Sequence, residues 1–513
     1  MIPDGKSQPS GAVCSFTRWR SDRTNALSSE LPFVVKKYTL PFAVPLLGLA
    51  LVSGTGPLFR ALPSVSEPPT ARPNVVILLA DDLGYGDLGC YGNPVIQTPY
   101  LDRLAASGLK LTHCYASSPV CSPSRAGLLT GKTPTRLGIH DWIPENSVVH
   151  LRRGETTIAR LLQQAGYQTG FFGKWHLNGF FNQPQHPQPS DHGFDYCFAT
   201  QHNARPSHRN PQNFVRNGQP LGTLEGYACQ IVADEVANWL QNRDKTRPFF
   251  QHVCFHEPHE LIASPEEWVN RYAGATPPER AVYHASVSNL DAAVGKILAA
   301  LEREGVRDNT LVIFTSDNGP NTNNGNPGTA RSYGTAGPLR GRKLWLYEGG
   351  IRVPGIVSWP GRIAPNQVSD APTSNLDFLP TLAALAGVKV STDSLDGVDL
   401  SPQWVRQRAV RRSKPLFWFY YNALDRPRVA MREGDYKLVG IPEQPVARIP
   451  ATDVPGENRK IKSLSVTKFE LYDLRADPAE TRDLAPSNPR QARVMAARMQ
   501  QRQREVLAES PDW

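Results

Sequence analysis

Cys121 opens the run Cys-Ser-Pro-Ser-Arg-Ala-Gly-Leu-Leu-Thr-Gly, residues 121–131, which sets a polarisable sulfur where a helix-forming stretch begins. Backbone N–H groups and the positive dipole end at a helix start favour an anion there. Arg125 adds a planar guanidinium of the kind that pairs with oxyanions. An isolated cysteine is ordinarily a small buried hydrophobe, but the neighbours of this one are those of an anion site. Two other segments, Asp81-Asp82 and Asp317-Asn318, supply oxygen ligands. Adjacent aspartates repel unless a cation lies beside them. An all-oxygen set favours Ca²⁺ or Mg²⁺ over Zn²⁺. Further cations and imidazoles stand in Gly173-Lys174-Trp175-His176, His256-Glu257-Pro258-His259 and Gly341-Arg342-Lys343. Together these groups suit the neutralisation of charge around an oxyanion ester and its attack by a nucleophile.

Apolar runs lead into four of these segments. Residues 74–80 read as a strand covered on both faces and run into Asp81; residues 168–172 lead to Gly173-Lys174, 249–255 to His256, and 310–315 to Ser316-Asp317. Helical patterns fall at 99–107, 156–165, 231–241 and 281–303. Alternating strand and helix predicts an α/β fold, a large and mostly parallel sheet sandwiched by helices. In such a sheet ligands sit beyond the carboxyl ends of the strands, so the four strand ends should send their ionisable residues to one shared edge. After a helix at 374–386, short runs at 416–421, 430–432, 436–439 and 469–474 predict an antiparallel sheet, and 491–507 a terminal amphipathic helix. The expected division is a basic leader with a signal-like apolar segment at 1–53, a Pro/Gly-rich linker at 54–72, a catalytic domain at 73–395 and a smaller C-terminal α+β domain at 396–513.

The segment Cys121, Pro123, Ser124, Arg125, Leu129, Thr130, Gly131 resembles the signature of the formylglycine-dependent sulfatases, the type I group with an alkaline-phosphatase-like fold. The resemblance extends to Leu-Ala-Asp81-Asp82-Leu-Gly, Thr-Ser-Asp317-Asn318-Gly, Gly-Lys174-Trp-His176 and Lys343-x-x-x-x-Glu348-Gly-Gly-x-Arg352-x-Pro, and spans about residues 73–485. The overall pattern is similar to the N-acetylgalactosamine-6-sulfatase and arylsulfatase A branch. It implies that a formylglycine-generating enzyme oxidises Cys121 to formylglycine (3-oxoalanine), whose hydrate is the nucleophile. It implies a metal, Ca²⁺ first and Mg²⁺ second, on Asp81, Asp82, Asp317, Asn318 and the modified residue 121. It gives Lys174 and Lys343 the sulfate oxygens, with Arg125 beside them, His176 the hydrate, and Asp317 a part in assisting attack. Of two histidines competing for the leaving oxygen, Pro258-His259 fits the family's form better than His256. Lys343 is favoured over Arg342 as the second lysine, and Glu348 and Arg352 read as structural. A further polar position falls among Gln201, His202 and Asn203. The region 201–209 departs from the arylsulfatase pattern, and its density of His, Arg and Asn suggests substrate recognition, with His202 and Asn203 as substrate-binding candidates.

The expected activity is hydrolysis of sulfate esters, on a sulfated sugar or glycan, by an exported protein. A phosphatase or phosphodiesterase of the same superfamily and a sulfoglycan-binding protein without turnover are the alternatives. Export rests on the leader: Arg18, Arg20, Arg23, Lys36 and Lys37 precede an apolar run at 40–52. That run falls short of the roughly twenty apolar residues of a stable membrane span. Retained, it would tether the chain; removed, it leaves a periplasmic, secreted or lumenal enzyme. Residues 1–72 carry eight Lys/Arg against four Asp/Glu, so +4 of the formal +9 would leave with leader and linker. Without a basic block interleaved with aromatics, nucleic acid is not an expected partner. Seven cysteines at 14, 90, 114, 121, 197, 229 and 254 lack zinc-type spacing and a paired framework.

Overall fold

Eleven strands form the main sheet, and their labels follow chain order: β1 Asn74–Ala80, β2 Leu109–Tyr115, β3 Gln168–Lys174, β4 Tyr196–Thr200, β5 Val215–Arg216, β6 Gln219–Pro220, β7 Phe249–Cys254, β8 Thr310–Ser316, β9 Arg352–Ser358, β10 Gln367–Ser369 and β11 Thr373–Ser374. They come from a computed structural model that describes residues 72–325 and 327–513. The order is β10-β2-β9-β8-β1-β7-β3-β4-β5-β6, with β11 beside β2. β8, β1, β7, β3 and β4 run parallel, and β9 is antiparallel to β8 and β2. The expectation of a mostly parallel sheet between helices holds. The four strands whose ends carry chemistry are neighbours, so their carboxyl ends meet at one edge.

β1 explains how both faces are filled. Val75, Ile77 and Leu79 point into one core with Leu129, Ile158, Leu162, Phe378 and Leu382. Val76, Leu78 and Ala80 point into the other with Leu104, Val232, Val236, Leu290 and Ile297. A strand buried on both faces needs apolar residues at every position, which is why this run shows no alternation. The covering helices are Cys121–Thr130, Ile158–Gln164 and Phe378–Leu385 on one side, Pro99–Ala106, Ala228–Asn242 and Pro278–Arg303 on the other.

A second sheet of four antiparallel strands follows: β12 Leu416–Phe419, β13 Val429–Glu433, β14 Tyr436–Ile441 and β15 Lys468–Asp473. Its alternation separates two faces. Phe417, Met431, Leu438 and Leu471 pack under the helix Pro489–Glu509 through Met495, Met499 and Val506. Leu416, Trp418, Ala430, Val439 and Tyr472 pack instead on Tyr115, Val120, Leu346 and Ile351. The second sheet thereby braces the residue before Cys121 and the segment after Lys343, and both sheets lie in the unit Pro68–Trp513.

Three regions differ from expectation. β9 occupies what reads as a Gly-rich stretch; its Gly355 is required because a Cβ there would stand 2.6 Å from that of Cys114. β2, β4, β5 and β6 have no counterpart among the expected strands. The leader and the run at 40–52 lie outside the described residues, among which no helix is long and apolar enough to cross a membrane. The six described cysteines are all free.

Candidate active site

Loops leaving the shared edge are tied to one another by backbone hydrogen bonds. Asp81 N–H donates to Glu257 O (3.0 Å) and Asp317 N–H to Ala80 O (3.1 Å). Asp82 has φ +63° and His176 φ +55°, a left-handed backbone that is uncommon away from glycine and collects at functional sites. Gly173 has φ +96°, and a Cβ there would meet Cys254 O at 1.9 Å, so only glycine lets β3 deliver Lys174 and His176 to the edge. Cys121 is the first residue of its helix, which Gly131 ends at φ +67°.

The side chains converge. Lys174 Nζ donates to Asp81 Oδ2 (2.6 Å), and Lys343 Nζ to Asp82 Oδ2 (2.8 Å). The same ammonium groups stand 3.9 and 3.6 Å from Cys121 Sγ, which is 3.7 Å from Asp81 Oδ1. Asp317 Oδ1 accepts from Asp82 N–H (3.1 Å), and Asn318 Nδ2 donates to Asp82 Oδ1 (2.7 Å). His259 Nε2 lies 3.6 Å from Asp82 Oδ2. One ligand atom from each of Asp81, Asp82, Cys121 and His259 falls within 4.8 Å of the others. His259 is thus closer to the carboxylate pair than the sequence suggested.

Arg125 is held behind this group. Its Nε and Nη2 donate to Asp317 Oδ2 (3.0 and 2.7 Å) and its Nη1 to Lys174 O (3.0 Å). Every nitrogen of the guanidinium is used by the protein, and Arg125 does not line the cavity in front of Cys121. That cavity, of 580 Å³, is lined by Cys121, Lys174, His176, His202, Asn203, His259 and Lys343 among others. His256 is buried off the cavity, its Nε2 2.8 Å from Thr200 Oγ1. Arg342 turns away to Thr322 Oγ1. Gln201 bonds the Asn178 and Gly179 carbonyls, whereas Asn203 Oδ1 accepts from Lys174 Nζ (3.4 Å) and His202 Nε2 stands 3.2 Å from Glu145. Glu348 and Arg352 are buried 3.5 Å apart at the boundary with the second sheet.

Burial pushes the Asp81 carboxyl up, yet Lys174, His259, Arg125 and Lys343 together hold it well below the usual range. Burial raises Asp317 to about 6 against the pull of Arg125. Burial lowers His259 to about 4, with Lys343 adding to the effect, and drives His176 well below its ordinary value. The Cys121 thiol is pushed up to about 12 by burial, which Lys174 and Lys343 only partly offset. As a thiol it is protonated at neutral pH and a poor nucleophile.

The sulfatase family model matches residues 73–388. The chain belongs to the sulfatase family. A model of the C-terminal part of N-sulphoglucosamine sulphohydrolase matches residues 342–445. Human arylsulfatase A is 37% identical over 80% of this chain and 83% of its own. Rat N-acetylgalactosamine-6-sulfatase is 33% identical over 74% of each. Among solved structures, Ps i-CgsB in complex with k-i-k-neocarrahexaose superposes with a TM-score of 0.73 at 26% identity, over 86% of this chain and 94% of that one. This sulfatase is therefore a sulfuric ester hydrolase of the type I group, with the alkaline-phosphatase-like fold.

Sulfatase membership implies a formylglycine and a divalent metal, and the residues fit both. Asn318 Oδ1 is buried and has no hydrogen-bond partner among the described residues, an oxygen that a cation would satisfy. Cys121 is 2% exposed. Sequence reasoning missed Trp142, Glu145 and Arg448, which also line the cavity. Arg205 lines it too, and lies in the His/Arg/Asn-dense loop that had read as a recognition element.

Proposed function

We propose that this sulfatase is exported and releases sulfate from a sulfated carbohydrate, using a formylglycine made from Cys121 by a formylglycine-generating enzyme. In this reading Asp81, Asp82, Asp317 and Asn318, with residue 121, hold a divalent cation, calcium before magnesium. The observation that carries it is that Cys121 Sγ stands within 4 Å of Lys174 Nζ, Lys343 Nζ and Asp81 Oδ1 at the floor of an open cavity. A carbohydrate substrate is supported by the relative named for N-acetylgalactosamine 6-sulfate and by the neighbour solved with k-i-k-neocarrahexaose. Export rests on the basic leader and the apolar run at 40–52.

Sulfate esters resist hydrolysis because their oxygens repel an incoming nucleophile, so the protein must neutralise charge where the nucleophile arrives. When bound, the cation supplies a Lewis acid for a sulfate oxygen, and the formylglycine supplies a hydrated carbonyl oxygen as nucleophile. Lys174 and Lys343 release Asp81 and Asp82 to the cation and turn their ammonium groups to the remaining sulfate oxygens. Arg125, fixed by Asp317 and the Lys174 carbonyl, holds Asp317 in place and adds positive field from behind. His259 Nδ1–H donates to Glu260 O at 2.6 Å, which leaves Nε2 facing the departing alcohol. The ring gives up a proton there from its imidazolium form, which the charge of the bound anionic ester favours against the burial that otherwise keeps it neutral. His176, neutral because it is buried, takes a proton at residue 121 when the site resets. His202 and Asn203 contact the sugar.

The test is the mass of the peptide that spans residue 121 after co-expression with a formylglycine-generating enzyme, alongside sulfate and phosphate ester assays. An aldehyde at 121 with release of sulfate and not phosphate is the expected result. A persistent thiol with no sulfate release would sink the proposal.

A further inference from the structure

The outer part of the cavity differs in character from its floor. Trp142 is 41% exposed there, with its ring 6.4 Å from that of His176. Arg205 Nη1 pairs with Glu145 Oε1 at 2.9 Å, and both side chains are about half exposed, at 50% and 45%. An ion pair so open to water is weak and readily exchanged for another anion. Glu145 would not be stranded by that exchange, because His202 Nε2 also lies 3.2 Å from it. Arg448, supplied by the chain between β14 and β15, is exposed, and its guanidinium makes no hydrogen bond or ion pair with a described residue.

We infer that this mouth is a second anion subsite, formed by Arg205, Arg448 and the Trp142 indole, which line the same cavity. The substrate is then an acidic saccharide with another negative group, a uronate carboxylate or a second sulfate, near the ester that is cut. This deepens the carbohydrate reading above and rests on it. The indole offers a flat face for the C–H side of a sugar ring while its edge stays wet. Two guanidiniums outnumber the one carboxylate at the rim, so the field at the entrance draws polyanions. The apolar side chains of the lining are Trp142, Val120, Pro144 and Leu344, and charged or polar side chains outnumber them. A 580 Å³ space accommodates a sulfated sugar with part of its neighbour.

The experiment uses the matured full-length enzyme with matched substrates: a neutral sulfated N-acetylhexosamine, the same sugar linked to hexuronate, the carboxyl-reduced form of that disaccharide, and a disulfated analogue. The readout is the ratio of kcat/KM for acidic over neutral substrate. We expect wild type to favour an acidic substrate by about tenfold or more. Arg205→Gln and Arg448→Gln should each lower the ratio, about three- to tenfold and mainly through KM. Glu145→Gln, which frees Arg205, should raise it. Loss of preference on carboxyl reduction identifies the uronate; preference only for the disulfated sugar identifies the second sulfate. A wild-type ratio near one, or a ratio unmoved by all three substitutions, overturns the subsite. Failure to release sulfate from any of the four, or from a simple aryl sulfate, overturns the carbohydrate sulfatase reading itself.

Discussion

Two clusters of buried lysine and carboxylate lie in this molecule, and they do different things. At the shared strand edge, Lys174 and Lys343 meet Asp81 and Asp82. At the boundary of the two sheets, Lys437 Nζ meets Glu348 Oε1 (3.0 Å) and Glu480 Oε1 (2.9 Å), all three side chains fully buried. The second cluster is closed by protein: Glu348 Oε2 accepts from Tyr115 O–H (2.6 Å), and Glu480 Oε2 from the Glu348 N–H (2.6 Å). The first opens through Cys121 onto a cavity and contains Asn318 Oδ1 without a partner. It also holds Asp82 and His176 in left-handed backbone. Burial of charge is common to both, so burial alone does not mark chemistry. What distinguishes the site is cavity access and an unpartnered amide oxygen; left-handed backbone does not, since Glu480 in the closed cluster also has φ +52°. Three carboxylates there, Asp81, Asp82 and Asp317, balance Arg125, Lys174 and Lys343 in number. A divalent cation would tip the balance positive, which suits an anionic ester.

The sharpest way to break the contrast is to change one carboxylate at the open cluster. Asp82→Asn keeps the shape and removes a charge that faces Lys343 and, in the proposed function, would face the cation. We expect sulfate release to fall by about a thousandfold or more, a loss typical for groups that hold transition-state charge. Calcium should raise the melting temperature of the wild type by mass action, and this rise should disappear in the variant. If Asp82→Asn keeps both activity and the calcium response, the open cluster is structural like the other.

How much of this could be read in advance follows from where each part is encoded. Residues 75–80 and 311–314 are apolar at every position, so strands buried on both faces were legible, and with them the shared edge. β9 was hidden because Pro354 and Gly355 read as punctuation, while the close approach of Cys114 that demands the glycine is set by tertiary pairing. β2 mixes Lys110, Thr112 and His113 with its apolar residues because only part of it is fully covered. At the site, contiguous segments such as Cys121 to Arg125 and Asp81-Asp82 announced their chemistry by neighbours. Trp142, Glu145 and Arg448 carry no such local signature; the first two share one loop and Arg448 comes from another, and the meeting of the two depends on the packed sheets. That Arg125 stands behind the cavity was also beyond sequence, since its two hydrogen-bond partners, Lys174 and Asp317, come from β3 and from the loop after β8.

The closed cluster should respond in stability first. Lys437→Met leaves Glu348 and Glu480 buried with their shared cation gone. Breaking such a pair typically costs about 3–5 kcal/mol, which chemical denaturation would register as a lower midpoint. A shift below about 1 kcal/mol would mean that Arg352 and Arg432 suffice to hold Glu348, and the boundary is less dependent on Lys437 than its geometry suggests.

The smallest effect is on pH dependence, and its sign is specific. Burial raises the Glu480 carboxyl from its ordinary 4.5 to about 7; Lys437 lowers it and Glu348 raises it further. A carboxyl raised in the folded state adds stability that is full below about pH 4.5 and is lost as pH climbs through 7. Glu348 goes the other way: burial raises it, but Lys437, Arg352 and Arg432 hold it at about 2, so its stabilising term is full above about pH 4.5 and fades as the pH falls towards 2. Between pH 5 and 8 the change within this cluster therefore comes from Glu480, and comparing variant with wild type cancels other buried carboxyls raised to about 7, such as Asp87 and Asp291. Glu480→Gln fixes a neutral side chain that can still accept from the Glu348 N–H. Its melting temperature relative to wild type should rise as the buffer moves from pH 5 to pH 8. A difference that stays flat across that range would show Glu480 already ionised beside Lys437 at pH 5, making the closed cluster a fixed ion triad with no proton to lose.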